Sequence, residues 1–194
     1  MYTSPVTLIL GFHGCDRKVG ESILGGKAGH LHKSENRYDW LGHGIYFWEN
    51  NPVRALEFAE ELQAFPRSGK QTIKEVFAVG AMIDPGHCLN LMESGSLRLL
   101  QEAYALLAEL SEKRGARMPV NKRAVDSGEL LQRDLDCAVI EVLCSSVDIP
   151  YDTVRGVFWE GSELYPGAGF REKNHIQICV RNPSCIKGYF RPLA

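Results

Sequence analysis

The stretch LGHGIYFWENNPVR, residues 41–54, decides the fold of this chain. Its two glycines, Gly42 and Gly44, allow the backbone to bend and to approach a ligand where a Cβ would clash. The apolar run that follows, residues 45–48, is rich in β-branched and aromatic side chains and favours a strand. The pattern therefore predicts a loop that leads into a strand, with an aromatic edge at the mouth of a cleft.

A helix is expected directly after this strand. Asn50 or Asn51 can cap it, and Pro52 suits its first turn. Apolar residues then recur at helical spacing, at positions 55, 56, 58, 59 and 62. A strand that turns into a helix is common in proteins, so other segments must indicate what this one does.

Two distant segments share its apolar, strand-like character. The first is LILGFHGC, residues 8–15, which predicts a strand that ends at His13 and Gly14. The second is HIQICVRNPSCI, residues 175–186, in which Gln177 points to the face opposite Ile176 and Ile178. The sequence thus offers three strands that each carry a polar or aromatic group suited to a cleft.

Together the three segments resemble the catalytic core of the diphtheria-toxin-like and poly-ADP-ribose-polymerase-like ADP-ribosyltransferases. In that family a His-Gly pair ends the first strand, a G-x-G-I-Y-F block carries a tyrosine, and a late strand carries a glutamate. His13 and Tyr46 match the first two members of this catalytic triad. Gln177 stands in the third place, where the family has glutamate, so the third position departs from the pattern.

The resemblance implies that NAD is the substrate and that the bond between nicotinamide and ribose is cleaved. It implies that His13 hydrogen-bonds a ribose hydroxyl of the adenosine half and that Tyr46 stacks on the nicotinamide ring. The backbone of the glycine after the histidine would hold the nicotinamide carboxamide, and either of two phenylalanines would form a second wall. The residues expected to contact NAD besides the triad are Gly14, Gly44, Phe47 and Phe58.

The substitution at Gln177 has a chemical consequence, because glutamine keeps an acceptor oxygen but carries no charge. Loss of one such electrostatic partner commonly costs a few kcal/mol of barrier, on the order of a hundredfold in rate. Three interpretations follow: the reaction tolerates the loss, a neighbouring acid supplies the charge, or catalysis is lost and binding remains. The candidate acids are Glu172, Glu160 and Glu163.

The resulting functional hypothesis is a mono-ADP-ribosyltransferase that modifies a macromolecular acceptor, either protein or nucleic acid. One alternative is an NAD glycohydrolase, with water as the acceptor. Another is a non-catalytic module that binds NAD or ADP-ribose. A role as a toxin or effector would imply an inhibitory partner protein.

Composition narrows the class of protein. The chain has 194 residues, 44% hydrophobic and 24% charged, with a formal net charge of −2, which is typical of a single globular domain without a strong basic field. It contains no apolar run long enough for a membrane span and no leader, so we expect a cytoplasmic protein with reduced cysteines. His30, His32 and a cysteine could form a zinc site, but this spacing is common by chance, and no metal is expected.

The order of the predicted elements favours an α+β fold over a doubly wound one. About seven strands are expected, mostly in the outer thirds of the chain. Two long helices lie between them as a helical insertion at about residues 95–148, the second of them predicted to begin at Ser127. The resemblance implies a split β-sheet with flanking helices in one domain, and the polar segment at residues 27–40 is expected to be a loop that borders the nucleotide pocket, either as a lid or as plain surface.

Overall fold

A computed structural model describes residues 8–66, 72–123, 130 and 132–193, which form an α+β fold, as predicted. The described strands are β1 (Ile9–Asp16), β2 (Ile45–Glu49), β3 (Val76–Ile83), β4 (Cys88–Asn90), β5 (Thr153–Phe158), β6 (His175–Val180) and β7 (Ile186–Phe190). The described helices are α1 (Arg17–Leu24), α2 (Pro52–Ala64), α3 (Ser94–Lys113) and α4 (Asp134–Ser146).

All seven strands belong to one sheet, in the order β4-β5-β6-β2-β1-β3-β7. Neighbouring strands are antiparallel except for β4 and β5, which are parallel. The crossover between that parallel pair carries α3 and α4, which pack against each other. The three strands that carry Gln177, Tyr46 and His13, β6, β2 and β1, are therefore adjacent at the centre of the sheet.

The two faces of the sheet have different covers. On the first face, α1 and the segment around Leu31 pack on side chains that include Cys15, Phe47 and Ile178. On the second face, α2 covers Phe12, Trp48 and Ala78, while α4 covers Leu89, Val154 and Cys179. Successive residues of a strand point to opposite faces, so the register of each strand determines which side of the protein a group serves.

The sheet is nearly divided at its centre. Strand β1 pairs with β3 over eight residues, from Ile9 to Asp16, but with β2 over only two pairs, Gly11 with Glu49 and Phe12 with Trp48. Past Phe12 and Trp48 the backbone ladder between the two strands stops, and there the His13 side chain reaches the carbonyl of Tyr46. At the other end the backbone N–H of Asn50 donates to the carbonyl of Leu10. The expected split sheet is thus one continuous sheet with a two-residue junction.

Caps explain where two of the helices begin. Asp16 accepts a hydrogen bond from the backbone N–H of Lys18 and starts α1, while Asn51 accepts from that of Arg54 and starts α2 with Pro52 in its first turn. Gly25 and Gly26 end α1, as predicted, and Gly26 has φ +67°.

Two predicted boundaries differ from the structure. Strand β1 does not end at His13 but continues to Asp16, because the ladder with β3 extends through both His13 and Gly14. The second long helix was expected to begin at Ser127, which lies outside the described residues. The helix seen begins at Asp134, where Asn121 accepts from the backbone N–H groups of Leu135 and Asp136.

Among the described helices, none is both long and apolar enough to cross a bilayer.

Candidate functional site

His13 lies beside the point where the β1–β2 ladder stops. Its Nδ1 donates a hydrogen bond of 2.7 Å to the carbonyl oxygen of Tyr46, and its ring meets that of Phe47 edge-on at 5.9 Å. A carbonyl only accepts, so the proton must sit on Nδ1, and Nε2 carries a lone pair. Burial lowers the pKa of His13, although the bond to Tyr46 opposes this effect. The neutral imidazole thus bridges the two strands through the backbone.

Tyr46 is fixed by the glycine loop that precedes it. Its hydroxyl accepts from the backbone N–H of Leu41 at 2.8 Å and donates to the carbonyl of Gly42 at 2.7 Å. Burial raises its pKa well above the usual value, so the hydroxyl stays protonated. Because both hydrogen bonds are internal, the ring is the part of Tyr46 that remains for a ligand.

An ion pair between α4 and the end of β6 holds the same loop. Arg181 makes two hydrogen bonds to Glu141, at 2.5 and 3.0 Å, and Glu141 also accepts from the backbone N–H of His43 at 2.8 Å. Burial raises the pKa of Glu141, but the bonds from Arg181 and His43 outweigh it, and the net pKa is lowered. We call Gly42, His43, Tyr46, Glu141 and Arg181 the loop latch.

Gln177 lies on β6, opposite Trp48 of β2 and Gly156 of β5, with only 8% of its surface exposed. It points away from Ile178 and Phe47, as the sequence alternation predicts. Phe12 pairs with Trp48, which places Phe12, Trp48 and Gln177 on the second face and the next residue of β1, His13, on the first. The structure brings Tyr46 and Gln177 to one face and does not bring the His13 side chain to theirs.

The two glycines expected to approach NAD are tightly packed by protein. A Cβ on Gly14 would lie 1.9 Å from the carbonyl oxygen of Ala55 in α2. A Cβ on Gly44 would lie 2.5 Å from Cys179 Sγ, and Gly44 also exchanges two backbone hydrogen bonds with Ser34. Both positions require glycine for packing, whatever their backbone contributes to a ligand.

The two phenylalanines considered as a second wall lie on different sides. Phe47 is fully buried on the first face, whereas Tyr46 points to the second, so Phe47 is a core residue on the wrong side to face the tyrosine ring. Phe58 of α2 lies on the second face and packs on Trp48 with ring centroids 4.8 Å apart. Of the two, Phe58 shares the side of Tyr46.

The sequence reasoning missed a polar cluster on the second face. It contains His175, whose side chain has no exposed surface, and Arg54, whose side chain is 4% exposed. Glu160 lies 3.6 Å from Arg54 Nη2 and 3.8 Å from His175 Nδ1. We call Trp48, Arg54, Glu160 and His175 the indole cluster. Strand alternation offered a signal, since His175 begins the late strand in phase with Gln177.

Aromatic rings enclose this cluster. His175 stacks on Phe158 at 5.5 Å and lies 6.3 Å from Trp48, while the Arg54 guanidinium lies 5.9 Å from the Trp48 ring. At the far end Arg133 stacks on Trp40 at 4.1 Å. Burial lowers the pKa of His175, with Arg54 and Arg133 acting in the same direction and the Lys173 carbonyl opposing them. His175 is therefore neutral near pH 7.

The three candidate acids occupy different environments. Glu160 belongs to the indole cluster, and Glu172 is exposed on the loop before β6. Glu163 is also exposed and accepts from the backbone N–H of Gly167 at 3.0 Å. Of the three, Glu160 is the one that contacts Arg54 and His175, on the face that carries Gln177.

The polar segment at residues 27–40 is anchored rather than loose. Asp39, 8% exposed, accepts hydrogen bonds from Ser34 and Asn36, and Arg37 pairs with Asp134 of α4. Of the two histidines in this segment, His30 lies 3.3 Å from the hydroxyl of Tyr189, and no group of three or more metal-ligating side chains occurs among the described residues.

Two surface depressions lie away from the predicted triad. One of about 440 Å³ is lined by Glu57, Glu60, Glu61, Ala64, Phe65, Glu172 and Lys173. The other, of about 380 Å³, is lined by Leu97, Leu100, Gln101, Tyr104, Leu135, Asp136 and Val139 of α3 and α4. The first is adjacent to the indole cluster, because Glu57 and Glu61 both pair with Arg54.

Comparisons with known proteins give a relative but no family. The chain is 28% identical, over 203 aligned positions, to an uncharacterized protein of Methanocaldococcus jannaschii; the match covers 91% of this chain and 83% of that protein. No family model matches the sequence. No solved structure matches it either.

Proposed function

We propose that this protein is an NAD-dependent mono-ADP-ribosyltransferase that cleaves the nicotinamide–ribose bond and transfers ADP-ribose to a macromolecular acceptor. The observation that carries the proposal is that the backbone ladder between β1 and β2 stops beside His13 and Tyr46, where a side-chain hydrogen bond takes its place. The sequence resemblance selects the same two residues. Strand edges that do not pair with each other leave backbone groups for a ligand.

The proposal must also accommodate site residues that lie on opposite faces of the sheet, and a ligand at the end of the β1–β2 ladder could reach both faces. His13 lies on the first face, and Tyr46, Phe58 and Gln177 lie on the second. A bent dinucleotide that crosses the sheet at the junction would meet His13 with its adenosine ribose and Tyr46 with its nicotinamide ring. Aromatic rings prefer offset-stacked or edge-on contacts, and the Tyr46 ring could make such a contact with the nicotinamide ring.

Cleavage of the nicotinamide–ribose bond develops positive charge on the ribose, which the protein must stabilise. As the glycosidic bond breaks, its electron pair goes to the nicotinamide nitrogen, and the ribose acquires oxocarbenium character. The acceptor then forms a bond to ribose C1 and loses its proton. Gln177 offers an amide oxygen without charge, and Glu160 is the candidate acid that contacts Arg54 and His175 on the same face. The site would lower the barrier by holding the reactants in position and by directing preorganised dipoles at the developing positive charge.

The direct test is to incubate purified protein with cell lysate and NAD labelled in its adenylate half. Transfer predicts label on a macromolecule together with free nicotinamide. The Tyr46→Ala variant should release no nicotinamide, whereas His32→Ala, on an exposed side chain, should match the wild type. Circular dichroism of both variants controls for folding.

Other outcomes would replace the proposal. Free nicotinamide without transferred label would assign hydrolysis, and NAD that binds but stays intact would assign a binding module. Gln177→Glu separates the roles of the acids: a rise in turnover indicates that charge is limiting at that position, whereas an unchanged rate together with a loss in Glu160→Gln assigns the charge to Glu160.

A further inference from the structure

The second face of the sheet carries two surfaces of opposite charge, one over each half. Helix α2 lies over the half formed by β2, β1 and β3, whereas α3 and α4 lie over the half formed by β4, β5 and β6. The first surface belongs to α2 and to the loop before β6, and we call it the acidic surface: Glu57, Glu60, Glu61, Phe65 and Glu172. The second is the segment at residues 113–123, which we call the basic segment.

The acidic surface contains two carboxylates that no base of the described chain neutralises. Glu57 and Glu61 both contact Arg54. Glu60 and Glu172 are exposed, and neither forms an ion pair with another described residue. Phe65 directly follows α2 and lines the same depression, and 79% of its surface is exposed. The acidic surface therefore combines unpaired negative charge with an apolar ring that protrudes into solvent.

The basic segment has the sequence KRGARMPVNKR, with five bases and no acid. Lys113 pairs with Glu109 inside α3. Arg114, Arg117 and Lys122 are exposed and form no ion pair with any described residue. On a chain whose formal net charge is −2, positive charge is thus concentrated, without neutralising partners, in one short surface segment.

The basic segment adjoins the depression of about 380 Å³ between α3 and α4, which we call the α3–α4 groove. Asn121 accepts hydrogen bonds from the backbone N–H groups of Leu135 and Asp136, at 2.9 and 3.2 Å, and both of these residues line the groove. Leu97 and Tyr104 line it as well, and they are 46% and 48% exposed. An apolar groove therefore ends at the positive charge of the basic segment.

Two glutamates of α3 do not cancel this positive charge, because they lie on the other side of the helix. Leu97 and Tyr104 are seven residues apart and share the side that faces the groove. Glu102 and Glu109 are two and five positions from Tyr104, which places them about 160° and about 140° away around the helix.

We propose that the second face is the interface of a symmetric dimer, in which the acidic surface of each copy docks on the α3–α4 groove and the basic segment of the other. A two-fold axis through the middle of this face exchanges its two halves, so the same contact is made twice. Phe65 would enter the groove of the second copy, with Glu60 and Glu172 facing the bases beside it. This inference goes beyond the proposed function and uses none of the residues assigned to NAD.

A second copy matches this face better than a nucleic acid does. The phosphates of a nucleic acid would suit the basic segment, but they would meet the unpaired carboxylates of Glu60 and Glu172 on the other half of the same face. A second copy pairs both charged surfaces and also covers Phe65 and the apolar groove. Complementary potentials of this kind select the partner and the orientation of a complex.

Sedimentation velocity over a range of protein concentrations tests the dimer. At about 0.1 M salt the wild type should form a dimer and no larger species. At about 1 M salt its dissociation constant should rise about tenfold or more, because the Debye length falls from about 10 Å to about 3 Å. A protein that stays monomeric at the lower salt concentration overturns the inference.

Charge reversal tests which surfaces meet. One variant carries Glu60→Lys and Glu172→Lys, and the other carries Arg117→Glu and Lys122→Glu. Each alone should dimerise about tenfold or more weakly, because like charges then face each other. An equimolar mixture should form a 1:1 heterodimer, since the new lysines face the new glutamates while the native acids of one variant face the native bases of the other.

The matched control reverses two bases on the opposite side of the sheet. Lys18 of α1 and Lys27 after it are exposed, and neither pairs with a described acid. The variant with Lys18→Glu and Lys27→Glu should dimerise as the wild type does.

Removal of the Phe65 ring tests the apolar part of the contact. Phe65→Ser should weaken the dimer about tenfold or more, because a buried aromatic anchor carries much of the energy of an interface. Leu193, 99% exposed and beyond β7, provides the control, and Leu193→Ser should leave the dissociation constant unchanged. Circular dichroism of each variant checks that it folds.

Several outcomes would overturn the inference. A dimer that tolerates both charge reversals and Phe65→Ser uses another surface, and a mixture that forms chains longer than 1:1 has no two-fold axis. A monomer that binds a labelled single-stranded oligonucleotide through Arg117 and Lys122 would assign the basic segment to nucleic acid. Release of nicotinamide from NAD is measured separately, so the dimer and the transferase can fail independently.

Discussion

The loop latch and the indole cluster lie on the same face of one sheet, yet they satisfy their polar groups differently. In the latch the Tyr46 hydroxyl and the Glu141 carboxylate both have protein partners, at 2.5 to 3.0 Å. In the indole cluster three nitrogens, Trp48 Nε1, Arg54 Nε and His175 Nε2, have none. A fully paired network rigidifies a fold, whereas an unpaired one costs stability and persists where a ligand or solvent completes it. The difference separates a latch that is satisfied within the protein from a cluster whose nitrogens are left for water or a ligand.

The largest effect should come from closing the space that the latch occupies. A Cβ on Gly42 would lie 2.5 Å from Glu141 Oε1, and Gly42 has φ +75°. Gly26 has φ +67° with nothing within 4 Å, so Gly26→Ala measures the backbone strain alone. We expect Gly42→Ala to lower the free energy of unfolding by about 3 kcal/mol and Gly26→Ala by about 1 kcal/mol in urea denaturation. Equal losses of unfolding free energy in the two variants would contradict a stabilising role for the loop latch.

A double-mutant cycle on Glu141 and Arg181 tests the ion pair of the latch. Their side chains are 28% and 20% exposed, and the contact has two hydrogen bonds, so we expect a coupling free energy of about 1–2 kcal/mol. The control is the surface pair Arg17 and Glu21, at 41% and 42% exposure, with an expected coupling below about 0.5 kcal/mol. Similar couplings in the two cycles would contradict a scaffold role.

Removal of the Tyr46 hydroxyl should have an intermediate effect. Tyr46→Phe leaves the N–H of Leu41 and the carbonyl of Gly42 without their partner, which costs about 1–2 kcal/mol of stability. The aromatic ring remains, so the affinity for nicotinamide should stay within about threefold of the wild type. A loss of binding without a loss of stability would reverse the roles that we assign to ring and hydroxyl.

The smallest effect is a difference in pH dependence. The pKa of His175 is lowered from its usual 6.5, so the unfolded chain gains a proton first and stability falls as pH drops below about 6.5, until the folded pKa is reached. Between pH 7 and pH 5, the free energy of unfolding of the His175→Gln variant should fall by up to about 1 kcal/mol less than that of the wild type. The pKa of Glu141 is lowered from 4.5, so its stabilising effect is present above that value and disappears as pH falls below it. Identical unfolding curves above pH 5 would count against the neutral, buried His175.

The sequence predicted most of the fold because local signals and the tertiary structure agree there. The caps at Asp16 and Asn51 start helices as expected, and the period-two alternation around Gln177 gave its face correctly. The end of β1 was wrong because strand pairing with β3, a contact between residues about 65 apart, carries the ladder past a glycine that locally suggested a break.

The site was harder to predict than the fold. Motif matching selected His13, Tyr46 and Gln177. A motif does not show, however, that the His13 side chain points to one face of the sheet and the Tyr46 and Gln177 side chains to the other. It also gave no weight to Arg54 or His175, whose burial and unpaired nitrogens depend on packing by α2 and by the loop before β6. Burial of a charged group is a tertiary property, and single-sequence patterns carry little information about it.

The most direct test of the central claim is a crystal structure with a non-hydrolysable NAD analogue in which carbon replaces the ring oxygen of the nicotinamide ribose. We expect the dinucleotide at the end of the β1–β2 ladder, with its adenosine ribose hydrogen-bonded to His13 and its nicotinamide ring on Tyr46. An analogue bound elsewhere on the sheet, or bound with both halves on one face and no contact to His13, would contradict the account.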